Sequence, residues 1–176
     1  MPILLVGSLL ALVAAVVLVK AASAWIKYRG NRVIQCPENL RPAGVRVDAA
    51  HAAVTALGKK ELRLRECSRW PERAGCGQEC LAQIEASPED CLVRNIIATW
   101  YRGKVCVSCH RAIGEIDWAG SQPGLLTASG KTVAWQDIPA AEIPGTLDSA
   151  QAICFTCHTA ATLVREYPEL ATDRHR

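Results

Sequence analysis

The sequence predicts an α+β protein made of one N-terminal transmembrane helix and a small cysteine-rich, metal-stapled domain. Three observations predict it. Residues 3–19 carry no charge and are almost wholly apolar. Two Cys-x-x-Cys-His segments, Cys106-Val107-Ser108-Cys109-His110 and Cys154-Phe155-Thr156-Cys157-His158, lie in the C-terminal half. Between them, Leu125-Leu126-Thr127-Ala128, Ser129-Gly130 and Lys131-Thr132-Val133-Ala134-Trp135 read as strand, tight turn, strand, so a β-hairpin links the two pairs.

The apolar stretch continues past Lys20 to Ile26, about 24 residues, enough to cross a hydrocarbon core of roughly 30 Å. Lys20 can snorkel, and Trp25 and Tyr28 fall where an interfacial aromatic belt would lie. Ala22-Ser23-Ala24 resembles a signal-peptidase site, but Met1-Pro2 supplies no basic residue ahead of the apolar run, which disfavours a cleaved leader. Lys20, Lys27, Arg29 and Arg32 all follow the helix. The positive-inside rule therefore places the C-terminal domain in the cytoplasm, at the inner face of a bacterial membrane. From 27 to 65, nine Lys or Arg stand against Glu38, Asp48 and Glu61, a net of +6, whereas 66–176 carry a net of −4. The basic charge lies next to the bilayer, where anionic headgroups or plain solvent can face it. No basic-aromatic pattern suggests nucleic acid.

The expected organisation is an anchor (1–26), a basic linker (27–35), a cysteine-rich α+β subdomain (36–103) and a Cys-x-x-Cys subdomain (104–176). Gly44-Val45-Arg46-Val47 alternates like a strand, and Asp48 caps a helix from Ala49 to Leu57 that Gly58 closes. Glu61 to Arg65 alternates again and runs into Cys67. Residues 76–86 read as helical, and Ser87-Pro88-Glu89-Asp90 reads as the start of a further helix to Arg102, with Ile96, Ile97 and Trp100 at core spacing and Gly103 at its end. Pro139, Pro144 and Gly145 break regular structure, and a helix resumes near Cys157 with Leu163 and Val164.

Nine cysteines set the chemistry. Cys-x-x-Cys puts two thiolates on one tight turn, and two such turns close a tetrahedron around zinc. Cys106, Cys109, Cys154 and Cys157 are thus the expected zinc ligands. Cys106 to Ile116 resembles the first knuckle of zinc-ribbon or treble-clef modules, which implies that Ile113 covers the metal. The same letters serve c-type haem attachment, and Cys-Val-Ser-Cys-His-Arg resembles many c-type cytochromes. That resemblance implies two haems, thioether-linked at Cys106, Cys109, Cys154 and Cys157, with His110 and His158 as axial ligands. With only the initiator Met, the sixth ligands would fall to His51 and His175. A membrane-anchored dihaem electron carrier for a respiratory complex is therefore the alternative, and a thiol redox sensor the third.

In an oxidising compartment the five other cysteines cannot all pair within the chain, whereas in a reducing one the nine divide as four, four and one. The upstream four, Cys36, Cys67, Cys76 and Cys80, form a candidate second metal site, with Cys76 and Cys80 on one helical face. Cys91 reads as packing. The segments around Cys67, Cys76 and Cys91 resemble bacterial single-pass membrane proteins of no assigned activity, which implies an anchored cysteine-rich cytoplasmic domain.

No phosphate loop, H-E-x-x-H or G-x-S-x-G is present. Glu115 and Asp117 lie near the first knuckle, but nothing assembles a nucleophile with a base. A non-catalytic docking or scaffold role is expected, with the lipid bilayer and a membrane protein as partners.

Overall fold

The computed structural model describes residues 2–59, 61–73 and 75–169. The chain divides into two units between Val93 and Arg94. The expected boundary near 103 therefore moves upstream, and the helix around Ile97 belongs to the second unit.

The first unit begins with α1 (Pro2–Tyr28), unbroken through Ala22-Ser23-Ala24. Val6–Tyr28, 23 residues, is long and apolar enough to span a membrane, a property signal sequences share. At 1.5 Å per residue it rises about 35 Å. Val17, Ala21, Ala24 and Tyr28 form a half-buried to buried stripe at helical spacing, and α1 packs against α2 (Ala49–Thr55). Tyr28 is not an interfacial residue. It lies in the unit's core with Ile34, Val45, Val47, Ala52, Leu64 and Ile84.

Residues 27–35 are not a linker either. Asn31–Gln35 is strand β1, whose inward positions are Arg32 and Ile34. Arg32 is fully buried, donating through Nη1 to the Pro88 carbonyl and through Nη2 to the Lys27 carbonyl at the end of α1. β2 (Pro42–Val47) and β3 (Leu64–Cys67) complete an antiparallel sheet in the order β1-β2-β3. The Asp48 cap of α2 is as expected: Oδ1 accepts from the His51 amide at 2.9 Å.

Two expected helices change. Residues 76–80 form a turn rather than helix, because Gly75 and Gly77 weaken any helix there and Gln78 takes a left-handed φ of 57°. The Gln78 side chain instead accepts from the Leu64 amide at 2.8 Å. After α3 (Trp70–Arg73), helix α4 covers only Leu81–Ala86. Residues 87–92 do not begin a helix. Pro88 is held by Arg32, the Cys91 carbonyl accepts from Val33 at 2.8 Å, and Leu92 bridges to Arg32. Tertiary contacts with β1 override the local capping signal.

The second unit starts with α5 (Val93–Tyr101), closed by Gly103 at φ 73°. Ile97 and Tyr101 are buried, and the Tyr101 hydroxyl donates to the Gly124 carbonyl. The expected hairpin forms from β4 (Gly124–Leu126) and β5 (Thr132–Val133), and β6 (Gln151–Ile153) pairs with the other edge of β4, giving the order β5-β4-β6. Trp135 leaves the strand for a short 3₁₀ turn and packs edge-on against Trp118 at 5.7 Å. Pro144 does not prevent a helix. It occupies the first turn of α6 (Ile143–Ser149), where a missing amide costs nothing. The last element is α7 (Phe155–Glu166), on which Leu163 and Val164 are exposed rather than in the core.

Candidate metal centre

The second unit brings its two cysteine pairs to one point. The first pair sits on a tight turn between Val105 and Ala112, which form an isolated bridge. Within the turn the Cys106 amide donates to the Arg111 carbonyl at 2.8 Å and the His110 amide to the Cys106 carbonyl at 2.9 Å. His110 takes φ 57°, a conformation that histidine tolerates better than bulkier residues. The second pair begins α7: Cys154 is its N-cap residue and Cys157 lies in its first turn. The Val107 amide donates to the Ala152 carbonyl of β6 at 2.9 Å, tying the turn to the strand that leads into Cys154. Turn, strand and helix N-terminus thus fix the four sulfurs.

The ligand atoms of Cys106, Cys109, Cys154 and Cys157 all lie within 4.8 Å of one another, the one such group among the described residues. Cys109 Sγ is 3.7 Å from Cys154 Sγ. A tetrahedron with metal–sulfur bonds of about 2.3 Å has edges of about 3.8 Å, so this separation is that of two ligands on one ion. It is far beyond a disulfide bond of about 2 Å, and all nine cysteines are free.

Four thiols this close cannot ionise independently. Burial would raise Cys106, but the amides of Cys154, Cys109 and Ser108 outweigh it and pull its pKa down to about 6. Ser108 donates to Cys157, yet the neighbouring thiols of Cys154, Cys109 and Cys106, with partial desolvation, push that residue up to about 12. One thiolate forms readily and the last forms reluctantly. A central cation removes that conflict.

The other expected site residues are placed differently. His110 is exposed. His158 is half-buried, packs against Gly124, has Nδ1 buried without a partner, and is held below its usual pKa chiefly by desolvation. Neither imidazole is grouped with the four sulfurs. His51 lies on α2 in the first unit, where its Nε2 approaches Glu61 at 4.0 Å, and His175 lies outside the described residues. Ile113 lines a groove with Arg102, Glu115 and Trp118. Glu115 is exposed, and Asp117 is engaged in its own turn, accepting from the Ala119 amide at 3.0 Å. Cys91 packs against the first unit's core, as expected. Cys36, Cys67, Cys76 and Cys80 line one small cavity of that unit without reaching the mutual closeness of the other four.

No family model, no curated protein and no solved structure matches the chain.

Proposed function

We propose that this is a membrane-anchored, zinc-binding scaffold protein whose second unit is stapled by one zinc ion on Cys106, Cys109, Cys154 and Cys157. The observation that carries it is the convergence of four thiols from two separated turns, with a 3.7 Å edge that fits a four-thiolate zinc site. A porphyrin attached at either pair would have to enter between the pairs, and the macrocycle is wider than the whole cluster. One small ion satisfies the arrangement, and two haems would require the pairs to separate.

The helix Val6–Tyr28 is the anchor, and Tyr28 in the core of the first unit makes it continuous with the domain. The basic flank from Lys20 to Arg65 supports a cytoplasmic domain at the inner face of a bacterial membrane. A reducing compartment suits free thiols and zinc. The role is docking of a membrane protein partner, without catalysis.

The test is an absorption spectrum and elemental analysis of the full-length protein, purified in detergent from a host competent in cytochrome c maturation. Colourless protein carrying zinc is expected, with the zinc content lowered by one ion per chain in Cys106→Ser and unchanged in His110→Ala. A Soret band that survives acid–acetone extraction, with two irons per chain, would overturn the proposal in favour of an electron carrier.

A further inference from the structure

The turn that carries Cys106 recurs in the first unit. There the Cys36 amide donates to the Arg41 carbonyl at 2.9 Å and the Leu40 amide to the Cys36 carbonyl at 2.8 Å, repeating the spacing of Cys106, His110 and Arg111. Leu40 takes φ 56°, as His110 takes 57°. Gln35 pairs with Pro42 at the mouth of the turn, as Val105 pairs with Ala112. The amides of Glu38 and Asn39 point at Cys36 Sγ, as those of Ser108 and Cys109 point at Cys106 Sγ. Cys36-Pro37-Glu38-Asn39-Leu40-Arg41 is therefore a metal-knuckle backbone with Asn39 in the place of the second cysteine.

Within the hairpin, the Gln35 side chain donates to the Leu40 carbonyl at 3.2 Å and Asn39 Oδ1 accepts from the Arg41 amide at 3.1 Å. Leu40 is 70 % exposed, so no burial compensates its left-handed conformation, which costs a non-glycine residue about 1–2 kcal/mol. Backbone strain of this kind persists where surroundings impose it, and it clusters at ligand clamps. Around Cys36 the surroundings are three further thiols. Cys67 ends β3, Cys80 immediately precedes α4, and Cys76 stands on the intervening turn; with Cys36 they line one cavity of about 30 Å³. Strand end and helix N-terminus repeat the plan of the second unit, where Cys154 joins β6 to α7.

From this juxtaposition we infer that Cys36, Cys67, Cys76 and Cys80 form a second site for a thiophilic divalent ion of the zinc class. Cys67 replaces the ligand that Asn39 cannot supply. The four sulfurs are not within 4.8 Å of one another as in the second unit, so the ion must draw them inward. One feature prepares the site: Arg69 Nη1 lies 2.8 Å from Cys36 Sγ and places positive charge beside the thiol, which favours its thiolate. Binding releases the thiol protons and leaves every sulfur in its reduced state.

The test is zinc stoichiometry of the full-length protein in detergent after loading with zinc alone and removal of excess. Two ions per chain are expected in the unmodified protein, one in Cys36→Ser/Cys67→Ser and one in Cys106→Ser/Cys157→Ser. A single ion in the unmodified protein that the Cys36/Cys67 variant retains would overturn the inference while leaving the first site standing. Thiol titration of the denatured, chelator-treated protein should count nine. Seven or fewer would overturn it by showing that these cysteines pair with one another. The unmodified protein and its thiol count decide the matter even where a variant fails to fold.

Discussion

Gly124→Ala tests whether the hairpin positions the metal ligands. A Cβ built on Gly124 would lie 2.6 Å from His158 Cγ, 2.7 Å from Nδ1 and 3.1 Å from Cβ. Ordinary contact begins near 3.4 Å, so something must move by about 0.8 Å. The strand cannot yield easily: Gly124 pairs with Ile153, and its carbonyl accepts from Tyr101. Its φ lies outside the left-handed region, so alanine adds crowding without backbone strain. Nor can the imidazole escape by rotation alone, since its near end is in contact too. The first turn of α7 must shift, and it carries Cys157 beside His158. Overpacking of this kind costs about 1–3 kcal/mol, and disturbing the support of a metal ligand lowers affinity roughly 10- to 100-fold. Competition with a chromophoric chelator would measure the zinc affinity, and thermal unfolding the stability. His158→Ala in the same chain should restore most of both, because it removes Cγ and Nδ1 and leaves only the milder 3.1 Å contact with Cβ, and the double-mutant cycle would report the coupling. Affinity and melting temperature unchanged in Gly124→Ala would refute the argument. His158→Ala alone should retain zinc, an outcome incompatible with an essential axial ligand.

Arg32→Ala should destabilise the first unit by about 3 kcal/mol, since it opens a cavity and strips charged donors from the Lys27 and Pro88 carbonyls; denaturant titration checks this. Asp48 is held below the usual carboxylate range by the His51 amide and by Arg63, whose Nη2 lies 2.7 Å from Oδ2. Its folded pKa lies below its unfolded value of about 3.9, so its contribution is present above that value and is lost as pH falls through the folded pKa. The stability difference between the protein and Asp48→Asn, which keeps a capping side chain, should therefore shrink as pH drops below about 4, followed by thermal unfolding across that range. Leu40→Gly should stabilise the first unit by about 1 kcal/mol of relieved strain, seen as a higher melting temperature, because the exposed leucine buries little that would be lost.

The α+β class, the long apolar helix, the Asp48 cap and the hairpin around Ser129-Gly130 were legible because each rests on neighbours in sequence. The cluster at Cys106, Cys109, Cys154 and Cys157 was legible for the same reason twice over, since each pair is a local turn and only their meeting is long-range. What escaped was set by partners far along the chain. Arg32 looked like membrane-flanking charge, yet β1 turns it inward, where it holds Pro88 and cancels the helix that Ser87-Pro88 signals. Gln78 left the helical path because its side chain answers the Leu64 amide, and so Cys76 and Cys80 do not share a helical face. The Cys36 knuckle escaped because its second cysteine is an asparagine. The one local trace is the arginine that closes both turns, Arg41 and Arg111, and it is too slight to identify a fold by itself.

The two cysteine clusters differ in how much ordering precedes the metal, and this sets their ranking. In the second unit one edge, Cys109 to Cys154, already has the tetrahedral length and all four sulfurs lie within 4.8 Å, so little binding energy is consumed in moving them. In the first unit the ion must first draw the sulfurs inward and close the cavity. If both clusters take zinc, preorganisation makes the Cys106 cluster the tighter site, and a zinc titration of the full-length protein should fill it first. The Cys36 cluster belongs to the unit that contains the long apolar helix and the basic segment 27–65. Any metal-dependent rearrangement would then act on Cys67 at the end of β3 and Cys80 at the start of α4, while the second unit keeps its shape.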